Sequence, residues 1–168
     1  DPETVPRLIS PQEWSTLRSR LCGTSRPSPR RLESKWLLRA VQLAVITGFP
    51  PAMLCALRWG HIRPELGSIV FDKQLVEGTG APYSVPLFHS TNHVLRQIGA
   101  APDEHPVICD PSGAALEPTR LISEFESARE ASGLPAAVDF SVCRHTFAGS
   151  LIRSGSRLTT TAVWLGAG

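Results

Sequence analysis

The chain has 168 residues, 42% of them hydrophobic and 19% charged, with a formal net charge of +2. That length can carry a real hydrophobic core and that balance excludes disorder as the default state, while so small a net charge says little about partners. The one long apolar stretch, 36–59, contains Arg39, Gln42, Pro50, Pro51 and Arg58, which excludes a membrane span; no signal peptide opens the chain, so a cytoplasmic protein is expected.

Charge is unevenly spread. Eight of the seventeen Lys and Arg residues (Arg7, Arg18, Arg20, Arg26, Arg30, Arg31, Lys35 and Arg39) fall in the first forty positions, against four acids. Phosphate-backbone binding needs such a distribution, although a charge run on its own is more often a solvated face. The four cysteines, Cys22, Cys55, Cys109 and Cys143, form no C-x-x-C pair. No zinc or other metal site and no cofactor is therefore expected, and Cys55 and Cys143, set in apolar helical patterns, read as small buried hydrophobes.

In chain order, Ser10, Pro11 and Glu13 predict a helix start: Ser10 as cap, Pro11 in the first turn, Glu13 closing a capping box. The helix that follows should turn Trp14, Leu17 and Leu21 inward. Residues 23–31 read as a basic, turn-rich connector. From Leu32, the positions Trp36, Leu37, Ala40, Val41, Ala44 and Val45 recur at helical spacing until Gly48 ends the pattern. Pro51 opens a short helix carrying Leu54, Cys55 and Leu57. Ile69-Val70-Phe71 and Tyr83-Ser84-Val85 flank a glycine-containing turn and predict a β-hairpin. Helices are expected over 90–98 and about 118–132, the latter with Leu121, Ile122, Phe125 and Ala128 on one face and Gly133 past its end. Residues 106–109 make at most a short strand, and Pro111-Ser112-Gly113 is a turn. Asp139 can cap a further helix with Ala148, Leu151 and Ile152 apolar, ended by Gly155, and a last helix runs over about 158–165. The expected fold class is mainly α, of α+β type: a helical bundle with a small antiparallel β-hairpin or sheet.

Two segments carry the functional reading: Thr47-Gly48-Phe49-Pro50-Pro51-Ala52-Met53-Leu54-Cys55-Ala56-Leu57-Arg58-Trp59, and Ser141-Val142-Cys143-Arg144-His145 with Leu165-Gly166-Ala167 downstream. Together they resemble the catalytic domain of the tyrosine recombinases, the phage-integrase family, in which the corresponding stretches read T-G-x-R-x-x-E-x-x-x-L-x-W, H-x-L-R-H and L-G-H. The opening Ile9-Ser10-Pro11-Gln12-Glu13 resembles the family's L-T-x-x-E, so the similarity covers nearly the whole chain. The resemblance implies one integrase-like catalytic domain over 1–168, without the tyrosine-bearing C-terminal segment and without any N-terminal arm-binding domain.

It also implies an activity and its absence. The family's tyrosine attacks a DNA phosphodiester to give a 3′-phosphotyrosine and a free 5′-hydroxyl, which needs cationic clamps, a proton for the leaving oxygen and a base. Carried onto this sequence, the first arginine position is Pro50 and the family's glutamate is Met53. The hairpin lysine, eight residues before the V-P of the second strand, falls on Gly78, with Lys73 the lysine nearby. The first histidine is Ser141, which also reads as a helix-start residue, and the second is Ala167. Only Arg144 matches, at the second arginine that clamps the scissile phosphate; it also reads as an arginine paired within the fold. His145 matches the trailing histidine, a packing position, and Arg58 reads as a surface or packing arginine that a rearranged site could recruit. Tyr83, on the hairpin, cannot be the nucleophile. Losing a single clamp or general acid costs on the order of 10²–10⁴ in rate.

The expectation is thus a degenerate recombinase-like domain of a mobile element or prophage. It binds double-stranded DNA through Arg144, His145, Lys73, Arg58, Arg30, Arg31 and Lys35, without cleaving it, and assists an active recombinase or self-associates. Two alternatives stay open: an active recombinase with a rearranged site or a tyrosine supplied downstream or in trans, and a protein-interaction module that has left DNA behind.

Overall fold

The computed structural model describes residues 7–22, 35–71 and 83–165. Arg30, Arg31, Lys73, Gly78 and Ala167 lie outside them, as do the connector at 23–31 and the turn of the hairpin. The described helices are α1 (Pro11–Leu21), α2 (Lys35–Thr47), α3 (Pro51–Ala56), α4 (His89–Ile98), α5 (Pro118–Ala131), α6 (Ser141–Arg153) and α7 (Leu158–Leu165), with strands β1 (Ile62–Arg63), β2 (Ser68–Phe71) and β3 (Tyr83–Pro86) between α3 and α4.

Local chemistry sets the element ends. The Glu13 amide donates to Ser10 Oγ at 3.2 Å and the Ser10 amide to Glu13 Oε2 at 2.9 Å, the reciprocal pair that satisfies two otherwise orphaned donors at the start of α1. Leu17 and Leu21 are buried and Trp14 packs partly against them. Helix α2 is the central element: it packs against α1, α3, α4, α5 and α6. Enclosed on so many sides, it buries Leu38 and Leu43 as well as Leu37, Ala40, Val41 and Ala44 of the stripe that periodicity predicts, whose Trp36 and Val45 are half-buried.

The hairpin forms as the alternation predicts, with Ile69 opposite Val85 and Phe71 opposite Tyr83, all four buried. A third antiparallel strand, β1, adds Ile62 opposite Ile69, giving the order β1-β2-β3. At two residues it is too short to show a period in the sequence. Residues 106–109 make only isolated bridges, Arg58 with Pro106 and Cys109 with Ala115.

Two apolar residues stand outside the core, and for Ile122 this corrects its assignment to the buried face of α5. Ile122 is exposed, because the buried line of α5 runs through Leu121, Phe125 and Arg129, four residues apart, and Ile122 stands one step off it. Ile152 is 49% exposed, because α6 buries Val142, Cys143, Phe147 and Leu151 and turns Ile152 away. Cys55 and Cys143 are buried as expected, and burial pushes their thiols up to about 11 and about 12.

Candidate functional site

The two motif segments meet where the end of α2, the start of β3, α6 and the end of α7 converge. Thr47 builds the turn after α2: its hydroxyl donates back to the Leu43 carbonyl at 2.6 Å and accepts the Phe49 amide at 3.2 Å. Gly48 follows at φ +70, a left-handed conformation that glycine adopts without penalty. It also permits close approach, since a Cβ built there would lie 2.5 Å from Phe147 Cδ1 and 3.0 Å from Leu165 Cδ2. The Thr-Gly pair therefore lets α2 end directly against α6 and α7. Beneath the turn, Phe49 meets Phe71 edge-on at 5.5 Å and Tyr83 at 6.3 Å.

Pro50 stands immediately after this turn, extended at φ −69 and ψ 164, and precedes α3 with no side-chain cap. Its ring offers neither charge nor donor where the resemblance calls for an arginine. Met53, in the glutamate position, is buried.

Arg144 projects from the first turns of α6, half buried, and its Nη2 donates to the Leu165 carbonyl of α7 at 2.7 Å. That acceptor is neutral, and none of the ion pairs among the described residues includes Arg144. A guanidinium at the carbonyl end of a helix also meets the negative end of its dipole. Beside it, Tyr83 donates its hydroxyl to the Trp164 carbonyl. Burial pushes the Tyr83 phenol well above its ordinary value, and the Arg144 charge pulls it partly back, which puts the two side chains within electrostatic reach.

Ser141 is exposed, with its amide at 2.9 Å and its hydroxyl both donating to Asp139 Oδ1. Asp139 thus accepts the first amide of α6 from two residues back, while Phe140 holds the N-cap position without a side-chain bond, and Ser141 serves as the helix-start residue. His145 is half buried and follows Arg144 on α6. Arg58 is committed elsewhere: its guanidinium donates to the Glu104 carbonyl at 3.2 Å and its amide to His61 Nδ1 at 3.1 Å. Lys35 opens α2, whose 13 residues put it about 20 Å along the helix from the Gly48 turn. There it lines a separate cavity of about 470 Å³ with Cys22, Trp36, Arg39 and Cys109.

Of the DNA-binding candidates, the structure brings Arg144 to the convergence, leaves Arg58 and Lys35 outside it, and shows His145 only as a half-buried neighbour of Arg144 on α6. Sequence reasoning missed Tyr83 and Trp164 as parts of it. The only local signal was that Tyr83 is the chain's single tyrosine, and a tyrosine in a strand reads simply as core. Among the described residues no group of three or more His, Cys, Asp or Glu side chains could hold a metal ion, and no helix is long and apolar enough to cross a membrane.

No family profile matches the sequence, and no curated protein matches it either. Solved structures do match. The fold is similar to the catalytic core of lambda integrase, at a TM-score of 0.73 and 21% identity over 95% of this chain and 90% of that one. It is similar also to XerA recombinase, at 0.71 and 16% identity over 99% of this chain, and to the Tn1549 transposon integrase in complex with circular intermediate DNA, at 0.65 and 17% identity over 99%. The chain spans 56% and 60% of those two longer proteins. At these identities the fold is what is shared: the chain has the tyrosine-recombinase catalytic-domain fold.

Proposed function

We propose that this domain binds duplex DNA through the phosphate backbone, in the setting of DNA integration and recombination, and does not cleave it. The observation that carries this reading is the contrast between Arg144 and Pro50 across the Gly48 turn. One cation of the expected clamp stands at the convergence, bonded to a neutral carbonyl and without an ion pair among the described residues, and its companion is a proline with nothing to donate. Phosphate binding needs a cation without a competing carboxylate. In-line cleavage needs two clamps, a proton donor and a nucleophile, and Ser141, bonded to Asp139, supplies none of these. DNA-bound structures of lambda integrase, which has the same fold, support duplex DNA as the partner class.

The test pairs binding with trapping. Affinity for a labelled duplex should fall steeply as salt rises from 50 to 200 mM, by about tenfold or more for a few phosphate contacts. Nicked suicide substrates should yield no covalent adduct. Salt-indifferent binding overturns the DNA-binding half, and a trapped adduct overturns the non-cleaving half.

A second reading, association with a recombinase or with another copy, is favoured by Leu158 and Val163, which are 71% and 59% exposed on α7. Sedimentation of the wild-type chain and of V163D, with and without duplex, separates association from binding as a monomer.

A further inference from the structure

The carbonyl end of α7 is gripped from two sides by side chains from different elements. Tyr83, from β3, donates to the Trp164 carbonyl, and Arg144, from α6, donates to the next carbonyl, Leu165. Both acceptors lie in the last described turn of α7. Neither grip is a loose surface contact. Tyr83 is 7% exposed, so its hydroxyl must find an acceptor inside the protein. The same end of α7 is wedged by Leu165 against Gly48 and by Trp164 edge-on to Phe88 at 5.6 Å.

We propose that Tyr83 and Arg144 form a clasp on α7, and that Tyr83 is a positioning residue governing how far Arg144 is free to take a DNA phosphate. The inference rests on the reading of Arg144 as a phosphate contact. Trp164 and Leu165 are consecutive, so the bond that fixes the first carbonyl sets the second against the guanidinium. A bidentate grip on phosphate needs two parallel N–H groups, and the Nη2 bond to Leu165 takes one of the guanidinium's five N–H donors and fixes how its forks are turned. A phosphate that needs that donor, or a turned guanidinium, competes with an internal neutral carbonyl. Its charge makes it the stronger acceptor, but each bond that holds α7 in place raises the cost of the exchange. With the Tyr83 hydroxyl removed, the end of α7 loosens and the competition shifts toward phosphate.

The experiment uses the full chain as wild type, Y83F, R144Q and the double variant. Hydrogen exchange reads the amides of α7, and fluorescence anisotropy reads affinity for a labelled duplex at one low salt concentration. Y83F should exchange α7 amides about fivefold faster, with α4 and α5 unchanged, and should bind duplex about three- to tenfold more tightly, the scale of one net hydrogen bond. The double variant should bind no better than R144Q. A tyrosine with a merely structural role would leave affinity equal or lower. Unchanged α7 exchange, no gain in affinity, or a gain that persists without Arg144 each overturns the proposal. If no form binds duplex, the phosphate reading of Arg144 falls and takes the governing role with it, while α7 exchange in Y83F still decides whether the clasp exists.

Discussion

Two corners of the molecule are each built on an arginine, and they treat its charge in opposite ways. Arg120, on α5, donates to Asp110 Oδ2 at 3.1 Å and sits 5.9 Å over the Trp36 ring. Its charge is spent inside the fold, on a carboxylate and an indole face. Arg144 donates to a neutral carbonyl, lies within electrostatic reach of the Tyr83 phenol, and has no carboxylate partner among the described residues. Both are partly exposed arginines on helices, and in the sequence only the motif around Arg144 sets one apart from the other. The acceptor separates them: a carboxylate neutralises a guanidinium and a carbonyl does not.

The largest break in this comparison comes from the turn that holds the Arg144 corner together. G48A places a side chain at φ +70 and 2.5 Å from Phe147, so it should destabilise the protein by about 2–4 kcal/mol, read as a lower urea midpoint with an unchanged slope. A substitution at Gly113, also left-handed but with open space around it, should cost less. Next comes charge. R144A should weaken duplex binding about tenfold at low salt and lower the salt slope by about one, with folding little changed. R120A should leave binding within about twofold and change stability by less than about 1 kcal/mol. Equal losses in the two variants would erase the distinction between the corners.

What the sequence disclosed follows the range of the physics involved. The capping box at Ser10 and Glu13, the glycine stop at Gly48 and the alternation of β2 and β3 are local patterns, and each appears where the residues place it. The helical stripes were legible only to within a step: Ile122 and Ile152 are apolar and beside the buried lines of α5 and α6, yet both face outward. Which side of a helix is covered depends on its neighbours. The Arg144 position was legible because it sits in a motif, whereas its partner was not, since Leu165 is 21 residues away and is reached through the backbone. The Tyr83 bond to Trp164 spans 81 residues and joins a strand to a helix, a pairing that no local period encodes.

The two corners should also respond to opposite ends of the pH scale. Tyr83 must keep its proton to hold α7, and burial raises its folded value above the ordinary 10.0. An unfolded chain therefore loses that proton first as pH rises. The corner's contribution is present below about pH 10 and declines above it. Wild type should lose stability in that alkaline range faster than Y83F, as read by urea midpoints.

The smallest effect belongs to the Arg120 corner. The Ser112 hydroxyl, then the Ala114 and Ser112 amides and Arg120, hold the Asp110 carboxyl at about 2, below its ordinary 3.8. A depressed folded value means that the unfolded state takes up the proton first as pH falls. The contribution is complete above the unfolded value and gone once pH passes below about 2. D110N should therefore show a small, constant deficit against wild type above about pH 5, shrinking to nothing near pH 2, in paired urea titrations. Salt should reduce the part of that deficit due to Arg120, because the pair is exposed, and leave the part due to the Ser112 and Ala114 bonds. A deficit that grows on acidification would mean that Asp110 repels its surroundings when charged, and the contrast with Arg144 would lose its neutralised member.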